Sequence, residues 1–412
     1  MGGWGMGSDA VRLNRLEQVL NFANGRTSPE RNESDSYPVF GSNGLIGQAG
    51  ESNSEPNTIV IGRVGSYCGS VHFSKIACWV TDNAIRATAK NDNDPAFLFY
   101  LLKHLNLNSW RSGSGQPLIN QATLNAIETL IPEPHVQREI SGVISAFDDR
   151  ITLLREINTT LEAIAQALFK SWFVDFDPVH AKMQGRAPEG MDETTAALFP
   201  DSFEESELGA VPKGWRVQSL DTIAAFLNGL ALQKFPPTGH GDLPVIKIAQ
   251  LRKGDSVGAD QASRGIKPEY IVKNGDVLFS WSGSLEVEIW CGGEGALNQH
   301  LFKVTSEDFP KWFYFFWTRH HLADFRQTAA SKATTMGHIQ RGHLTAAKVC
   351  VPTAAVIEGA TAVLGPIVEM LIENSLQAQA LATLRDTLLP RLISGQLRLP
   401  VKINQSGECN GV

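Results

Sequence analysis

LEQVLNFANG at residues 16–25 returns as LDTIAAFLNG at residues 220–229, with leucine, phenylalanine, asparagine and glycine all displaced by 204 positions. A second match joins 119–132 to 339–352 at a displacement of 220, because insertions widen the offset. Self-similarity on this scale indicates two copies of a whole domain, since solenoid repeats are only about 20 to 50 residues long. We therefore expect two related domains, pseudo-two-fold symmetry and two related working surfaces.

Length and composition are those of a globular protein. With 412 residues, 42% of them hydrophobic, each half has enough chain for a domain of roughly 130 to 140 residues plus a long connector. The sequence has no apolar run of about 18 residues and no signal peptide pattern at its start, which predicts a cytoplasmic chain without a membrane partner. Five cysteines without a CxxC pair argue against a disulfide framework and a zinc site.

The net charge of −7 is concentrated in one segment. Residues 189–207 contain seven acidic side chains and no basic one, and their Pro and Gly neighbours predict a solvated linker. Because the acidity lies between the two copies, the overall charge does not exclude DNA as a partner and does not favour it either.

Each copy ends in a long predicted helix. No proline occurs between Pro134 and Pro178, and apolar residues there alternate in steps of four and three, as in a heptad seam. The second copy repeats the seam between 356 and 392, with Arg385 interrupting it and Pro366 weakening its start. A helix of about 35 residues is roughly 50 Å long, too long for one such domain, so each helix should pair with the other in antiparallel orientation. The residues expected in this pairing are Phe147, Ile151, Leu154, Asn158, Leu161, Leu371, Asn374, Ala378 and Leu381.

Catalytic motifs are absent from the sequence. We find no GxxxxGK[ST] phosphate loop, no HExxH, no GxSxG and no Asn/Asp-Pro-Pro-aromatic tetrapeptide. The sequence therefore predicts neither catalytic nor metal-binding residues.

Several motifs resemble those of the specificity subunits of type I restriction-modification systems. In the first half these are YPVFGSNGLIG (37–47), IGRVGSYCGSVHF (61–73) and QPLINQATLNAIETLIPEP (116–134). In the second half they are GHIQRGHLTAAKVCVP (337–352) and LRDTLLPRLISGQLRL (384–399). The resemblance covers nearly the whole chain.

The resemblance implies an α/β (α+β) fold with two tandem target-recognition domains, each recognising one half of a bipartite double-stranded DNA sequence. The helices between them would set the half-site spacing and dock two modification (methyltransferase) subunits, and restriction (translocase-nuclease) subunits would join the complex. S-adenosylmethionine, ATP and Mg²⁺ would then belong to the partner subunits, with no cofactor on this chain. The expected divisions are target-recognition domain 1 (1–134), central helix (135–178), acidic linker (179–210), target-recognition domain 2 (211–352), C-terminal helix (353–399) and tail (400–412).

Base recognition needs side chains that match base edges, chiefly Arg for guanine and Asn or Gln for adenine, presented on loops of a rigid scaffold. The candidates in the first half are Asn43, Arg63, Ser66, Tyr67, Gln116, Asn120 and Gln121. Those in the second half are Lys247, Gln250, Trp281, Ser284, Lys332, Thr335, Gln340 and Arg341. Structural roles remain open for some of them, because Asn43 suits a turn, Arg63 suits a loop anchor and Trp281 suits a core.

Two alternatives belong to other functional classes. A methyltransferase-nuclease fusion would methylate DNA without partners, and a protein-docking coiled-coil scaffold would not bind DNA even with them.

Overall fold

The computed structural model describes residues 11–112, 117–331 and 337–399. The chain divides into two compact units. Unit 1 comprises Met1–Arg150 with Leu381–Val412, and unit 2 comprises Ile151–Ala380. Each long helix therefore contributes residues to both units.

The strands are β1 (Arg12–Arg15), β2 (Leu20–Asn24), β3 (Tyr37–Gly41), β4 (Gly44–Ala49), β5 (Thr58–Gly62), β6 (Val71–Ser74), β7 (Trp79–Val80), β8 (Ala84–Ala89), β9 (Glu128–Ile131), β10 (Phe203–Ser206), β11 (Gly209–Pro212), β12 (Arg216–Ser219), β13 (Ala225–Asn228), β14 (Leu243–Ile246), β15 (Gln261–Ala262), β16 (Ile271–Val272), β17 (Val277–Ser280), β18 (Val287–Ile289), β19 (Gly295–Leu297), β20 (Leu301–Thr305) and β21 (Lys348–Val351). The α-helices are α1 (Leu16–Val19), α2 (Pro95–His104), α3 (Gln121–Ala126), α4 (Pro134–Phe169), α5 (Asp177–Met183), α6 (Glu193–Leu198), α7 (Leu220–Ile223), α8 (Ile248–Lys253), α9 (Lys311–His320), α10 (Leu322–Ser331), α11 (Arg341–Ala346) and α12 (Ala354–Ile393).

The two units share the strand order of their main sheets, which confirms the duplication. The main sheet of unit 1 has the order β2-β8-β5-β6, and that of unit 2 has the equivalent order β13-β20-β17-β18, antiparallel throughout. A second sheet contains the parallel pair β3-β7 in unit 1 and the parallel pair β14-β19 in unit 2. A two-stranded ribbon closes each copy, β1-β9 in the first and β12-β21 in the second. The mixed helix and sheet content agrees with the expected α/β (α+β) class.

The Asn-Gly dipeptide of the repeat has a steric cause. Gly25 and Gly229 each end the first strand of a main sheet and pass against the backbone of a neighbouring segment. A Cβ atom on Gly25 would lie 2.0 Å from the Thr81 carbonyl oxygen, and one on Gly229 would lie 2.2 Å from that of Asn298. No Cβ atom tolerates such a distance, so both copies need glycine at this point.

The first long helix, α4, is shorter than the expected 135–178. Its regular part ends at Phe169, a π-helical turn follows at Lys170–Val174, and Phe176 then adopts a left-handed φ of 56° that ends the helix. The second long helix, α12, ends at Ile393 rather than at 399, just before the left-handed Gly395, and it runs without interruption through Pro366.

Helix α12 carries two buried faces. The expected seam is one of them, and a stripe at i, i+4 spacing is the other, formed by Val356, Ala360, Leu364, Val368 and Ile372, each at most 8% exposed in the core of unit 2. By length and composition α12 passes as a membrane span, with a window of mean hydropathy 1.7. In the protein its apolar stripe contacts the core of unit 2, where the Trp312 indole donates to the Thr361 hydroxyl at 2.9 Å.

Asn158 and Asn374 lie in contact within unit 2. The Asn374 amide donates to Oδ1 of Asn158 at 2.9 Å, and the Asn158 amide donates to the Leu371 carbonyl at 2.9 Å and to the Ser375 hydroxyl at 3.0 Å. All of these groups are half-buried, so a shifted register would leave polar atoms without partners inside the seam.

A different polar group holds the same two helices together within unit 1. Arg385, the interruption noted in the second seam, forms an ion pair with Asp148. The Tyr100 hydroxyl donates to the other oxygen of Asp148 at 2.7 Å, and burial together with this carboxylate raises the pKa of Tyr100. Ile140 lines the same cavity as Leu392. Residue numbers therefore increase along α4 as they decrease along α12, so the two helices are antiparallel in unit 1.

The segment expected as a solvated linker, 179–210, has regular structure. It contains most of α5, all of α6 and the start of the β10-β11 hairpin, and the adjoining Phe199 and Val211 are only 2% and 3% exposed in the core of unit 2. Its seven acidic side chains are all exposed. Charge and proline content identified the solvated face and missed the apolar residues that anchor the segment.

The close approach at Gly229 generates a stability prediction. Gly229→Ala should lower the free energy of unfolding of unit 2 by about 1–3 kcal/mol, because the added methyl group overlaps a backbone oxygen. Gly342→Ala is the matched control in the same unit, since a Cβ there meets nothing within 4 Å, and it should be neutral or raise stability by about 0.5–1 kcal/mol. Urea unfolding followed by tryptophan fluorescence measures the difference, since six of the nine tryptophans lie in unit 2. Equal midpoints for the two variants would contradict the steric argument.

Candidate nucleic-acid interface

In unit 1 the loop after β5 is joined to the segment before α3 by backbone hydrogen bonds. The Ile119 amide donates to the Arg63 carbonyl at 3.0 Å, and the Gly65 amide donates to the Pro117 carbonyl at 3.1 Å. An isolated bridge between Val64 and Leu118 lies between them. We call this pair of segments, 63–70 with 117–121, cleft 1.

Unit 2 repeats the arrangement bond for bond. The Ile339 amide donates to the Trp281 carbonyl at 3.0 Å, and the Gly283 amide donates to the Gly337 carbonyl at 2.9 Å. The intervening bridge joins Ser282 to His338. We call this pair, 281–286 with 337–341, cleft 2.

The side chains on the two clefts differ although the backbones correspond. Arg63 in cleft 1 is replaced by Trp281 in cleft 2, and Gln121 is replaced by Arg341. Two domains with one backbone and different polar side chains suit two different base sequences, because base edges are distinguished by the donors and acceptors presented to them.

Cleft 2 contains a cavity of about 400 Å³ lined by Asn228, Trp281, Phe302, His338, Ile339, Gln340 and Arg341. The Trp281 ring lies 5.9 Å from that of Phe302, and its indole N–H donates to Asn228 at 2.9 Å. The neighbouring Ser282 hydroxyl is 2.9 Å from Nδ1 of His300. These contacts fix an aromatic floor in one orientation.

Cleft 1 is held by a serine-rich network. The Ser70 hydroxyl donates to the Ser42 carbonyl at 2.6 Å, which ties the β3-β4 turn to the loop after β5. His72 lies behind this turn, 3.2 Å from the Ser70 hydroxyl, and burial lowers the pKa of its imidazole. The ring is therefore neutral at physiological pH, so the positive charge of cleft 1 comes from arginine.

The structure places the candidates of unit 1 as follows. Asn43 is exposed at the β3-β4 turn, Ser66 and Tyr67 are exposed on cleft 1, and Arg63 is half-buried with Nη1 3.4 Å from the Asp82 carbonyl. Asn120 is the N-cap of α3, with its side chain accepting from the Thr123 amide at 2.8 Å. Asn120 was expected to contact a base, and this bond shows that its side chain also caps α3.

Gln121 is also engaged. With its amide oriented so that the nitrogen faces the carbonyl, it donates to Phe22 at 3.1 Å and accepts from the Asn24 amide at 3.1 Å. Gln116 lies outside the described residues.

In unit 2 the structure brings Trp281, Gln340 and Arg341 together around the cavity. Lys247 and Gln250 are not among the lining residues. Instead they begin α8, where Gln250 accepts from the Lys247 amide at 3.3 Å and the Lys247 ammonium pairs with Asp260. Ser284 is exposed on cleft 2, and Lys332 and Thr335 lie outside the described residues.

The residues expected in helix pairing are all buried or half-buried. Ile151, Leu154 and Ala378 are 3%, 1% and 7% exposed, and the remaining side chains of that set are half-buried. Asn158 and Asn374 are joined directly, as described above.

Sequence reasoning missed Asn228, Phe302 and His338 as lining residues of the cavity in cleft 2. The repeat could have identified Asn228, because Asn24 and Asn228 occupy the ends of equivalent strands. Phe302 carried no such signal, since it lies within a strand and has the spacing of a core residue.

Comparison with known proteins agrees with this architecture. The family model described as type I restriction modification DNA specificity domain matches residues 11–163 and 212–356, one match for each copy of the repeat. These matches cover well over half of the chain.

Curated relatives belong to the same group. The specificity subunit of the type I restriction enzyme HindI from Haemophilus influenzae is 26% identical over 361 residues, covering 74% of this chain and 77% of the relative. That of MjaIX from Methanocaldococcus jannaschii is 26% identical over 316 residues, covering 74% and 69%.

A solved structure shares the fold. The S subunit of the type I restriction-modification system from M. genitalium superposes with a TM-score of 0.59 at 15% identity, covering 94% of this chain and 97% of that one. With two matches to the family model, one on each of two units that carry equivalent clefts, the chain belongs to the type I restriction-modification DNA specificity family.

Proposed function

We propose that unit 1 and unit 2 each recognise one half of a bipartite double-stranded DNA sequence, and that the chain is the specificity and scaffold subunit of a type I restriction-modification complex. The observation that carries the proposal is the pair of clefts, which share their backbone hydrogen bonds and differ in their side chains. One scaffold with exchanged recognition groups is what two half-site readers require.

The proposed partners are duplex DNA, two modification (methyltransferase) subunits and restriction (translocase-nuclease) subunits. S-adenosylmethionine, ATP and Mg²⁺ are assigned to those subunits, and this chain is proposed to hold no cofactor. The family's specificity subunits are non-catalytic, so chemistry enters only when the partners dock. Since the substrate is intracellular DNA, we propose that the chain works in the cytoplasm.

The paired helices are proposed to set the spacing of the half-sites and to present a docking surface for the modification subunits. Two polar contacts support a fixed length, Asn158 with Asn374 in unit 2 and Asp148 with Arg385 in unit 1. A seam of apolar side chains alone tolerates shifts in register, whereas buried polar pairs select one.

The function is tested by methyl transfer. The purified chain should neither methylate nor cut DNA, and addition of its modification subunits should produce methylation at one bipartite sequence. Transfer of tritiated methyl groups from S-adenosylmethionine to duplex DNA measures both. Methylation by the chain alone would support the methyltransferase-nuclease fusion, and an assembled complex that fails to bind DNA would support the docking scaffold.

The spacing role is tested by changing helix length. Insertion of seven residues at facing positions of α4 and α12 adds about two turns to each, or roughly 11 Å. We expect the methylated half-sites to move apart by about three base pairs, at 3.4 Å per base pair.

The matched control inserts seven residues at Gly190, an exposed turn residue of unit 2, outside both long helices, with no neighbour near its Cβ position. This variant should keep the original spacer. Methylome sequencing gives both spacers, and an unchanged spacer after the helix insertions would show that the helices do not set the distance.

A further inference from the structure

We propose that Arg341 recognises a guanine base in the half-site bound by unit 2, through the outward edge of its guanidinium at the mouth of the cleft 2 cavity. The inference rests on the proposed function and adds the base and the side chain that reads it.

Arg341 is held in place by unit 2 itself. Its Nη2 donates to the Phe226 carbonyl at 3.2 Å, and its guanidinium carbon lies 5.8 Å from the centroid of the Phe302 ring. These contacts restrict a long side chain before any ligand arrives, which lowers the entropy lost on binding.

The remaining donors of Arg341 are not used by a carboxylate. No acidic side chain of the described residues forms an ion pair with it, although arginines elsewhere in unit 2 do pair, Arg264 with Glu294 at 3.0 Å and Arg326 with Glu286 at 2.8 Å. Arg341 is exposed and is the only arginine or lysine among the described residues that line the cavity. A positive group fixed in orientation and left without a counter-charge is prepared for an external acceptor.

The indole nitrogen of the cavity floor is already engaged. The Trp281 indole N–H is donated to Asn228, so Trp281 supplies an apolar surface rather than a hydrogen bond to a base. A planar fork beside an aromatic surface matches the O6 and N7 acceptors of guanine, which arginine contacts in a bidentate manner.

The duplication supplies an internal comparison. With the amide orientation described above, the equivalent residue of unit 1, Gln121, donates to the Phe22 carbonyl, and Arg341 donates to the equivalent carbonyl of Phe226. The hydrogen bond to this carbonyl is therefore common to both copies, but at this position only unit 2 has a guanidinium group. The Arg341 guanidinium thus offers N–H donors that the Gln121 amide of unit 1 does not have.

The test uses the full chain assembled with its modification subunits and a library of duplexes in which one half-site at a time is randomised. The variants are Arg341→Lys, which keeps the charge and loses the fork, and Arg341→Gln. Arg216→Gln is the control, because Arg216 is an exposed arginine of the same unit on β12, away from the cavity. Melting temperatures establish that each variant is folded.

We expect the wild-type complex to prefer guanine at one position of one half-site. Both Arg341 variants should reduce that preference by about five- to a hundredfold and leave the other half-site unchanged. Replacement of that guanine by 7-deazaguanine, which removes N7, should weaken the wild-type complex and leave the Arg341→Gln complex unaffected. If Arg341→Gln does not fold, Arg341→Lys takes its place in this comparison, and the wild-type measurement alone still tests whether N7 of that guanine is contacted.

Three results would overturn the inference. The first is that Arg341→Lys and Arg341→Gln both keep the guanine preference. The second is that the sequence bound by the wild-type complex has no guanine in either half-site. The third is that Arg341→Gln lowers the affinity for all sequences equally and that Arg341→Lys restores this affinity. The last would identify a phosphate contact, with a salt dependence lowered by about one ion in Arg341→Gln. A wild-type complex without any sequence preference would instead remove the proposed function itself.

Discussion

Both units depend on one backbone constraint, the short pairing between the loop that follows the central strand and the segment that precedes a small helix. Arg63 with Ile119 and Trp281 with Ile339 make the same hydrogen bond at 3.0 Å. Because these bonds use only main-chain atoms, they hold the cleft in one shape whatever side chains it bears. Recognition residues can therefore differ between the copies without cost to the fold, and that separation is what a family of specificity subunits needs.

The long helices depend on a different kind of constraint, because apolar seams of similar residues could pair in more than one register. Unit 2 fixes the register with a neutral amide pair, Asn158 with Asn374, and unit 1 fixes it with a charged pair, Asp148 with Arg385. Partly buried polar groups cost free energy when they lose a partner. A shift of one helix along the other within either unit separates the polar pair of that unit, so each contact selects one register where apolar packing alone would allow several.

Much of the fold could be predicted from the sequence, since the repeat and the heptad spacing can be seen in the order of residues alone. The details of the clefts could not, because they depend on which segments meet in three dimensions. Asn120 has the right chemistry for adenine, yet its side chain caps α3. Phe302 has core spacing and is buried in the core of unit 2, and its ring also lines the cavity of cleft 2. The acidic segment misled for a related reason, since two apolar anchors, Phe199 and Val211, outweigh seven surface charges.

The central claim is that the two units recognise DNA independently on one shared scaffold. It is tested most directly by exchanging residues 26–130 for the corresponding stretch of another member of the family and sequencing the methylome of the hybrid complex. We predict that one half of the methylated sequence changes to that of the donor while the other half and the spacer length stay as they were. A hybrid in which both halves change would contradict two independent readers.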